Sequence, residues 1–228
     1  MSGEVQTIAA ARTLAGKRSC FIGVGRPSTA AILARMVHNP ELVLVYESGT
    51  IGAKPYRVPL SIGDGELAET ADFVVSVPEM FNYWTGAGRI QVAFLGAAQI
   101  DRHANLNSTV IGDYTHPTTR LPGAGGAPEI AIGCPEVVVI APNSRRTFVE
   151  RLDFRTTSGA QTTQVITDLG VLEPRDGELT LTAVHPGVSL EQVREATGWE
   201  LRVAETVATT DPPTDSELSA LRELLARG

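Results

Sequence analysis

Basic charge is scarce in this sequence. Asp and Glu number 26 against 19 Lys and Arg, a formal net charge of −7 over 228 residues. That balance lacks the basic excess of a nucleic-acid binder, and it bears on solubility rather than on fold. Cysteine is almost absent. Cys20 and Cys134 alone build no disulfide framework, and no Cys-x-x-Cys or His/Cys cluster marks a zinc site. His38, His103, His116 and His185 are scattered without ligand spacing, so no metal is expected. Aromatics make up 5%, which points to a core of Val, Ile, Leu and Ala. Apolar runs such as Val137–Ala141 fall far short of the roughly 20 residues of a membrane span. The opening residues, MSGEVQTIAAARTLAGKR, place no basic stretch before an apolar one, so no signal peptide is read. A soluble cytoplasmic protein with neither membrane nor nucleic-acid partner is expected.

What is present is globular composition, 43% apolar and 20% charged, in a chain long enough to form its own core. One domain over residues 1–228 is expected. Apolar spacing predicts a helix over Val5–Ala15, a strand over Ser19–Val24, a helix over Ser28–Val37 behind Pro27, and a strand over Leu42–Tyr46. Strand, helix and strand within about 30 residues form a parallel unit. Further strands are predicted at Phe73–Val77, Gln91–Leu95, Val137–Ile140, Gln164–Thr167 and Leu179–Ala183. Helices are predicted at Ser189–Ala196 and Thr214–Ala226, the latter opened by a Thr214/Glu217 capping box. Continuous apolar strands suit an open, mostly parallel α/β sheet with helices on both faces. Residues 96–133 are rich in Gly, Asn, Thr and Pro and show little periodicity. A long irregular stretch of that kind in a compact domain is usually functional.

Four motifs carry chemistry. Gly23 and Gly25 lie between a predicted strand and helix, where glycine permits a tight turn and exposes helix N-terminal amides to an anion. The third glycine of a dinucleotide fingerprint is missing, Ser28 standing there, and there is no GK[ST] of a P-loop. Glu47 follows the second strand directly, flanked by Gly49 and Gly52. A carboxylate at that end of a parallel strand sits where such sheets bind ligands. It serves as a ribose ligand in a dinucleotide fold, as a nucleophile in another chemistry, or as an exposed acid that ends a strand. Gln99, Asn105 and Asn107 lie in GAAQID and NLNST. Their side chains are suited either to orienting a ligand or to closing Asx-turns. Gly123, Gly125 and Gly126 leave backbone amides open, either as an oxyanion hole or as a flexible loop. Arg145 and Arg146 are a solvated pair or a phosphate contact.

Taken in order, the Gly23–Pro27 turn, the Glu47-Ser48-Gly49 triplet, GAAQID with NLNST, IGDYTHPTTR and the Gly123–Ala127 run resemble the β subunit of the family I CoA-transferases, glutaconate CoA-transferase among them. The resemblance spans residues 5 to 205. It implies a Rossmann-like three-layer fold, with coenzyme A carried as a substrate thioester. Glu47 is implied as a nucleophile that becomes a glutamyl-CoA thioester in ping-pong transfer between an acyl-CoA and a mono- or dicarboxylic acid. Gly125 or Gly126 is implied as the amide donor near the thioester. Gly123, Gly23 and Gly25 are expected to approach the CoA, and Gln99, Asn105 and Asn107 to position substrate. A separate α subunit of similar fold is implied, in a heterotetramer or larger assembly with the active site at the interface. One departure is Ala104, where the family usually has glycine. Relatives that lost the glutamate turned to decarboxylation or ring-opening hydrolysis. Retention of Glu47 favours transfer, with acyl-CoA hydrolase, ring-opening hydrolase or decarboxylase as the alternative on the same fold. More distant rivals are an oxidoreductase using Gly23, Gly25 and Glu47, and a non-catalytic partner of another subunit.

Overall fold

The computed structural model describes residues 2–23 and 25–227. The chain folds as two compact units, Met1–Leu95 with Gly133–Glu136 and Pro213–Gly228, and Gly96–Ile132 with Val137–Pro212.

The first unit opens with α1 (Ser2–Arg12). The predicted continuation to Ala15 is instead a turn, with Gly16 in the left-handed region at φ 73°. β1 (Ser19–Ile22) follows and is buried throughout; Val24, predicted to end it, lies outside the described residues. α2 (Arg26–Val37) starts from Gly25 and turns Ala30, Ala31, Leu33 and Ala34 inward. The short alanine side chains let it pack closely on α1. β2 (Val43–Tyr46) and β3 (Thr50–Ile51) form an antiparallel pair, and α3 (Gly65–Glu69) leads to β4 (Phe73–Val74). The predicted strand to Val77 stops early for a local reason. Ser76 and Glu79 form a capping box that starts α4 (Val77–Glu79). α4 continues as a π-helical turn over Met80–Thr85, which sets the ring of Phe81 6.3 Å from Phe21. β5 (Val92–Leu95) completes the order β5-β1-β2-β3-β4. β1 runs parallel to both neighbours, with Phe21 level with Val45 and Ala93. The central strands are apolar runs because both of their faces are covered.

The second unit begins with two hairpins, β6 (Gln99–Ile100) with β7 (Leu106–Asn107) and β8 (Val110–Gly112) with β9 (Pro117–Arg120). After α5 (Ala127–Gly133) come β10 (Glu136–Ile140), β11 (Thr162–Ile166), β12 (Gly170–Arg175) and β13 (Glu178–Val184). α6 (Leu190–Ala196) and β14 (Arg202–Thr209) close it. β10 is parallel to β11 and β13 to β14, while β12 pairs antiparallel on both sides. The α/β class and its parallel core match the sequence; the antiparallel strands are additional to it. Among the described residues no helix is long and apolar enough to cross a membrane.

α7 (Asp215–Ala226) returns to the first unit and packs on α1 and α2. The predicted Thr214/Glu217 capping box is present. Glu217 is 3% exposed and accepts two bonds of 2.7 Å from Nε and Nη2 of Arg12 on α1. Burial alone would push its carboxyl up. The Arg12 side chain, the backbone N–H and hydroxyl of Thr214, and the Arg12 charge outweigh burial and hold it at about 2, against an ordinary 4.5. A depressed carboxylate contributes its stability in full above the unfolded value, and the contribution disappears as pH falls from 4.5 towards 2. The shift corresponds to about 3 kcal/mol. Urea unfolding of Glu217→Gln is expected to show a loss of about that size at pH 7, and a flatter decline than the native chain between pH 5 and 2.5.

Candidate active site

β2 delivers Glu47 at its C-terminal end, as its parallel pairing with β1 requires. Tyr46 to Gly49 form a tight turn closed by the Gly49 N–H donating to the Tyr46 carbonyl at 3.0 Å. Gly49 sits at φ 96°, and its carbonyl accepts from the Val75 N–H at 2.9 Å. Gly52, at φ 68°, ends the reversal and passes close to Asp72. The turn is thus held from both sides, and the carboxylate it presents is half-buried. Among the described residues the Glu47 carboxylate makes no hydrogen bond or ion pair. Beside it, Ser48 Oγ and Thr50 Oγ1 are buried without a hydrogen-bond partner among the described residues. Buried polar atoms are usually satisfied, and sequence pattern alone does not single these two out.

Gly23 and Gly25 flank the start of α2. The Gly23 N–H extends the ladder to the Phe94 carbonyl at 3.2 Å, and a side chain there would come into contact with that oxygen. Gly25 caps the helix at φ 80°, and its carbonyl accepts from the Thr29 N–H at 3.1 Å. A cavity of about 200 Å³ lies beside α2 between Ile32, Met36 and Leu44, and none of the site residues expected from the sequence lines it.

In the second unit, Gln99 and Asn107 meet across the β6–β7 hairpin. Asn107 Nδ2 donates to Gln99 Oε1 and to the Val110 carbonyl, both at 2.7 Å, and Asn107 Oδ1 accepts from Thr109 and Val110. Asn107 is fully buried, and both ends of its carboxamide are committed to the chain. Gln99 Nε2 donates to Asp153 Oδ2 at 2.9 Å. Asp153 is a buttress that sequence pattern does not reveal, because it stands 54 positions away. Asn105 donates its N–H and side-chain amide to Asp101, and its Oδ1 accepts from the Gly159 N–H. Ala104, preceding it, holds φ 59°, the conformation for which a glycine would be the unstrained residue. The Asn residues therefore shape the loop from inside, and Gln99 borders a space in the second unit. That space is a cavity of about 660 Å³.

Gly123 and Gly125 lie at φ 105° and 49°. The Gly123 N–H donates to the Ser108 carbonyl at 2.8 Å, and Ser108 Oγ donates back to the Gly123 carbonyl at 2.8 Å, tying the loop to the residue that follows β7. The backbone N–H groups of Ala124, Gly125 and Gly126 have no acceptor among the described residues, although Gly126 is buried. Amides left open beside a left-handed glycine form a concave donor set for an anionic or polarised oxygen.

Among the described residues no group of three or more His, Cys, Asp or Glu side chains is placed to hold a metal. Cys20 and Cys134 are buried thiols, and desolvation raises both, Cys134 to about 12. Neither is poised as a nucleophile.

The family model described as Coenzyme A transferase matches residues 4–196. The β subunit of 3-oxoadipate CoA-transferase from Pseudomonas knackmussii is 54% identical, the alignment covering 99% of this chain and 94% of the relative. The β subunit of glutaconate CoA-transferase from Acidaminococcus fermentans is 31% identical over 99% of this chain and 92% of its own length. The crystal structure of glutaconate CoA-transferase from A. fermentans superposes with a TM-score of 0.90 at 27% identity, over 99% of this chain and 94% of that one. The structure of the decarboxylase AibA/AibB superposes at 0.89 and 26% identity, over 100% and 96%.

Proposed function

Because the chain belongs to the coenzyme A transferase family, as a β-type subunit, we propose that it moves CoA between an acyl-CoA and a free dicarboxylic acid of the 3-oxoadipate type, with Glu47 as the nucleophile. The observation that carries this reading is the Glu47 turn: a half-buried carboxylate at a strand end, without a partner among the described residues and held by two left-handed glycines. A carboxylate so held keeps its lone pairs available for attack.

Glu47 adds to the thioester carbonyl, and the electron pair moves to oxygen. Collapse expels the CoA thiolate and leaves an anhydride between the acyl group and Glu47. The thiolate then attacks the glutamyl carbonyl, releases the first acid as its carboxylate, and leaves Glu47 as a CoA thioester. The second acid reverses the sequence. Every step exchanges one acyl bond for another, so the thioester energy is retained and no nucleotide site is required. The oxyanion needs preorganised donors, each worth about 3–4 kcal/mol of barrier. The N–H groups of Gly125 and Gly126, which have no acceptor among the described residues, are this chain's candidates. Gly123 holds their loop, and Gly23 and Gly25 leave the entry to α2 clear for the CoA. Gln99 is assigned to substrate positioning, and Asn105 and Asn107 act through the loop that carries it. An α-type subunit, the partner implied by the relatives being one component of a two-subunit enzyme, supplies the remaining contacts.

The test is intact-mass analysis of the two-subunit complex after incubation with 3-oxoadipyl-CoA or succinyl-CoA and no acceptor. A gain of one CoA less one water, mapped to the peptide containing Glu47, is expected. Accumulation of free CoA or carbon dioxide without that adduct would overturn transfer in favour of hydrolysis or decarboxylation.

A further inference from the structure

We infer that the 660 Å³ cavity of the second unit is a subsite for an anionic group of the substrate pair, a carboxylate or a phosphate, held by Arg146. The volume lies within the range of small-molecule sites. Its lining includes Gln99, Thr118, Thr119, Ser144, Arg146 and Thr147, and Arg146 is the sole charged residue among the described residues that line it.

Arg146 differs from the residue beside it. Arg145 donates its Nε to the Glu195 carbonyl at 2.8 Å, whereas Arg146 has no hydrogen bond, ion pair or ring contact among the described residues. The backbone beneath it is fixed. Thr147 and Phe148 N–H groups both donate to the Ser144 carbonyl, at 2.9 and 2.7 Å, and the Thr147 carbonyl accepts from Ile100 at 2.6 Å. A free guanidinium on a held turn is already organised for two parallel bonds to a carboxylate or phosphate.

The remaining polar groups are donors as well. Thr118 and Thr119 are exposed on β9, and their hydroxyls have no partner among the described residues. Ser144 Oγ and Thr147 Oγ1 lie 3.1 Å apart. A hydroxyl pair uses one of its two protons internally and keeps the other for a ligand. Gln99 has its carboxamide oriented by Asp153 and Asn107. A wall that offers one positive charge, several hydroxyl donors and no carboxylate selects anions.

This deepens the transferase reading and rests on it for the identity of the ligand. The test is therefore a binding measurement, independent of turnover. Calorimetry of the two-subunit complex would compare the six-carbon dianion adipate, the monoanion hexanoate and 3′,5′-ADP, which carries the 3′-phosphate and one 5′-phosphate of CoA. For native protein against Arg146→Gln, the Kd for one of the two multiply charged probes is expected to rise about 10- to 100-fold. Hexanoate is expected to change less than twofold, and Arg146→Lys to recover part of the loss. A change confined to adipate identifies the second carboxylate of the acid as the occupant. A change confined to 3′,5′-ADP identifies a CoA phosphate. Equal affinities of the native and Arg146→Gln complexes for both probes would overturn the subsite. Failure of Glu47 to acquire CoA would overturn the transferase reading alone.

Discussion

Glu47→Ala is expected to leave the two-subunit complex folded and CoA transfer reduced by about 10⁴-fold or more, the scale seen when a catalytic nucleophile is removed. The carboxylate makes no bond within the described chain, so its loss removes chemistry without removing a contact, and thermal unfolding is expected to stay unchanged. Glu47→Asp is the sharper variant. It keeps the charge and withdraws the oxygens by one methylene, and a misplacement of about 1 Å is enough for roughly a hundredfold loss. The readout is kcat for acyl exchange with saturating donor and acceptor, together with the covalent CoA mass. Near-native turnover of Glu47→Ala would end the nucleophile assignment.

Gly49→Ala is expected to damage both stability and activity, because the turn presenting Glu47 has no room for a methyl group. At φ 96° any L side chain is strained, and a Cβ there would overlap the Val75 carbonyl oxygen. That oxygen belongs to the segment whose N–H donates to Gly49, so relieving the overlap breaks the bond that fixes the turn. Strain and overpacking together are expected to cost about 3 kcal/mol or more. Gly25→Ala is the control. Gly25 also has a left-handed φ, 80°, but nothing lies within 4 Å of a Cβ built on it. Strain without a clash costs about 1–2 kcal/mol. Urea midpoints of the two variants, measured beside the acyl-exchange rate, separate the two effects. Equal midpoints would show that the Val75 contact does not constrain the loop.

Parts of the molecule were legible in the sequence because their causes are local. β1 and β2 are short apolar runs ending at glycine or at Glu47, and α7 announces itself through Thr214 and Glu217. Other parts have distant causes. β7 is two residues long, and the Leu106 N–H is satisfied by the Thr157 carbonyl. β12 contains a proline and β14 is largely exposed, so neither carries an apolar run. Glu47 stands out in the sequence because an acid follows the second strand directly and a glycine lies two residues on. The distinction between Arg145 and Arg146 does not, because what separates them is a carbonyl 50 positions away. The Asn residues show a different limit. A motif rich in amides suits ligand contacts or loop closure alike, and only the structure shows that Asn105 and Asn107 bond within the loop.

Synthesis proceeds from α1 to α7, and the first unit contains both. When Leu95 leaves the ribosome, Arg12 still lacks Glu217, which lies 205 positions downstream. The second unit, drawn from residues 96–132 and 137–212, is finished before α7 exists. At about 5–20 residues per second, the faces of α1 and α2 that α7 covers wait on the order of ten seconds for it. The half that carries Glu47 is consequently the last to close, because α7 packs on its α1 and α2.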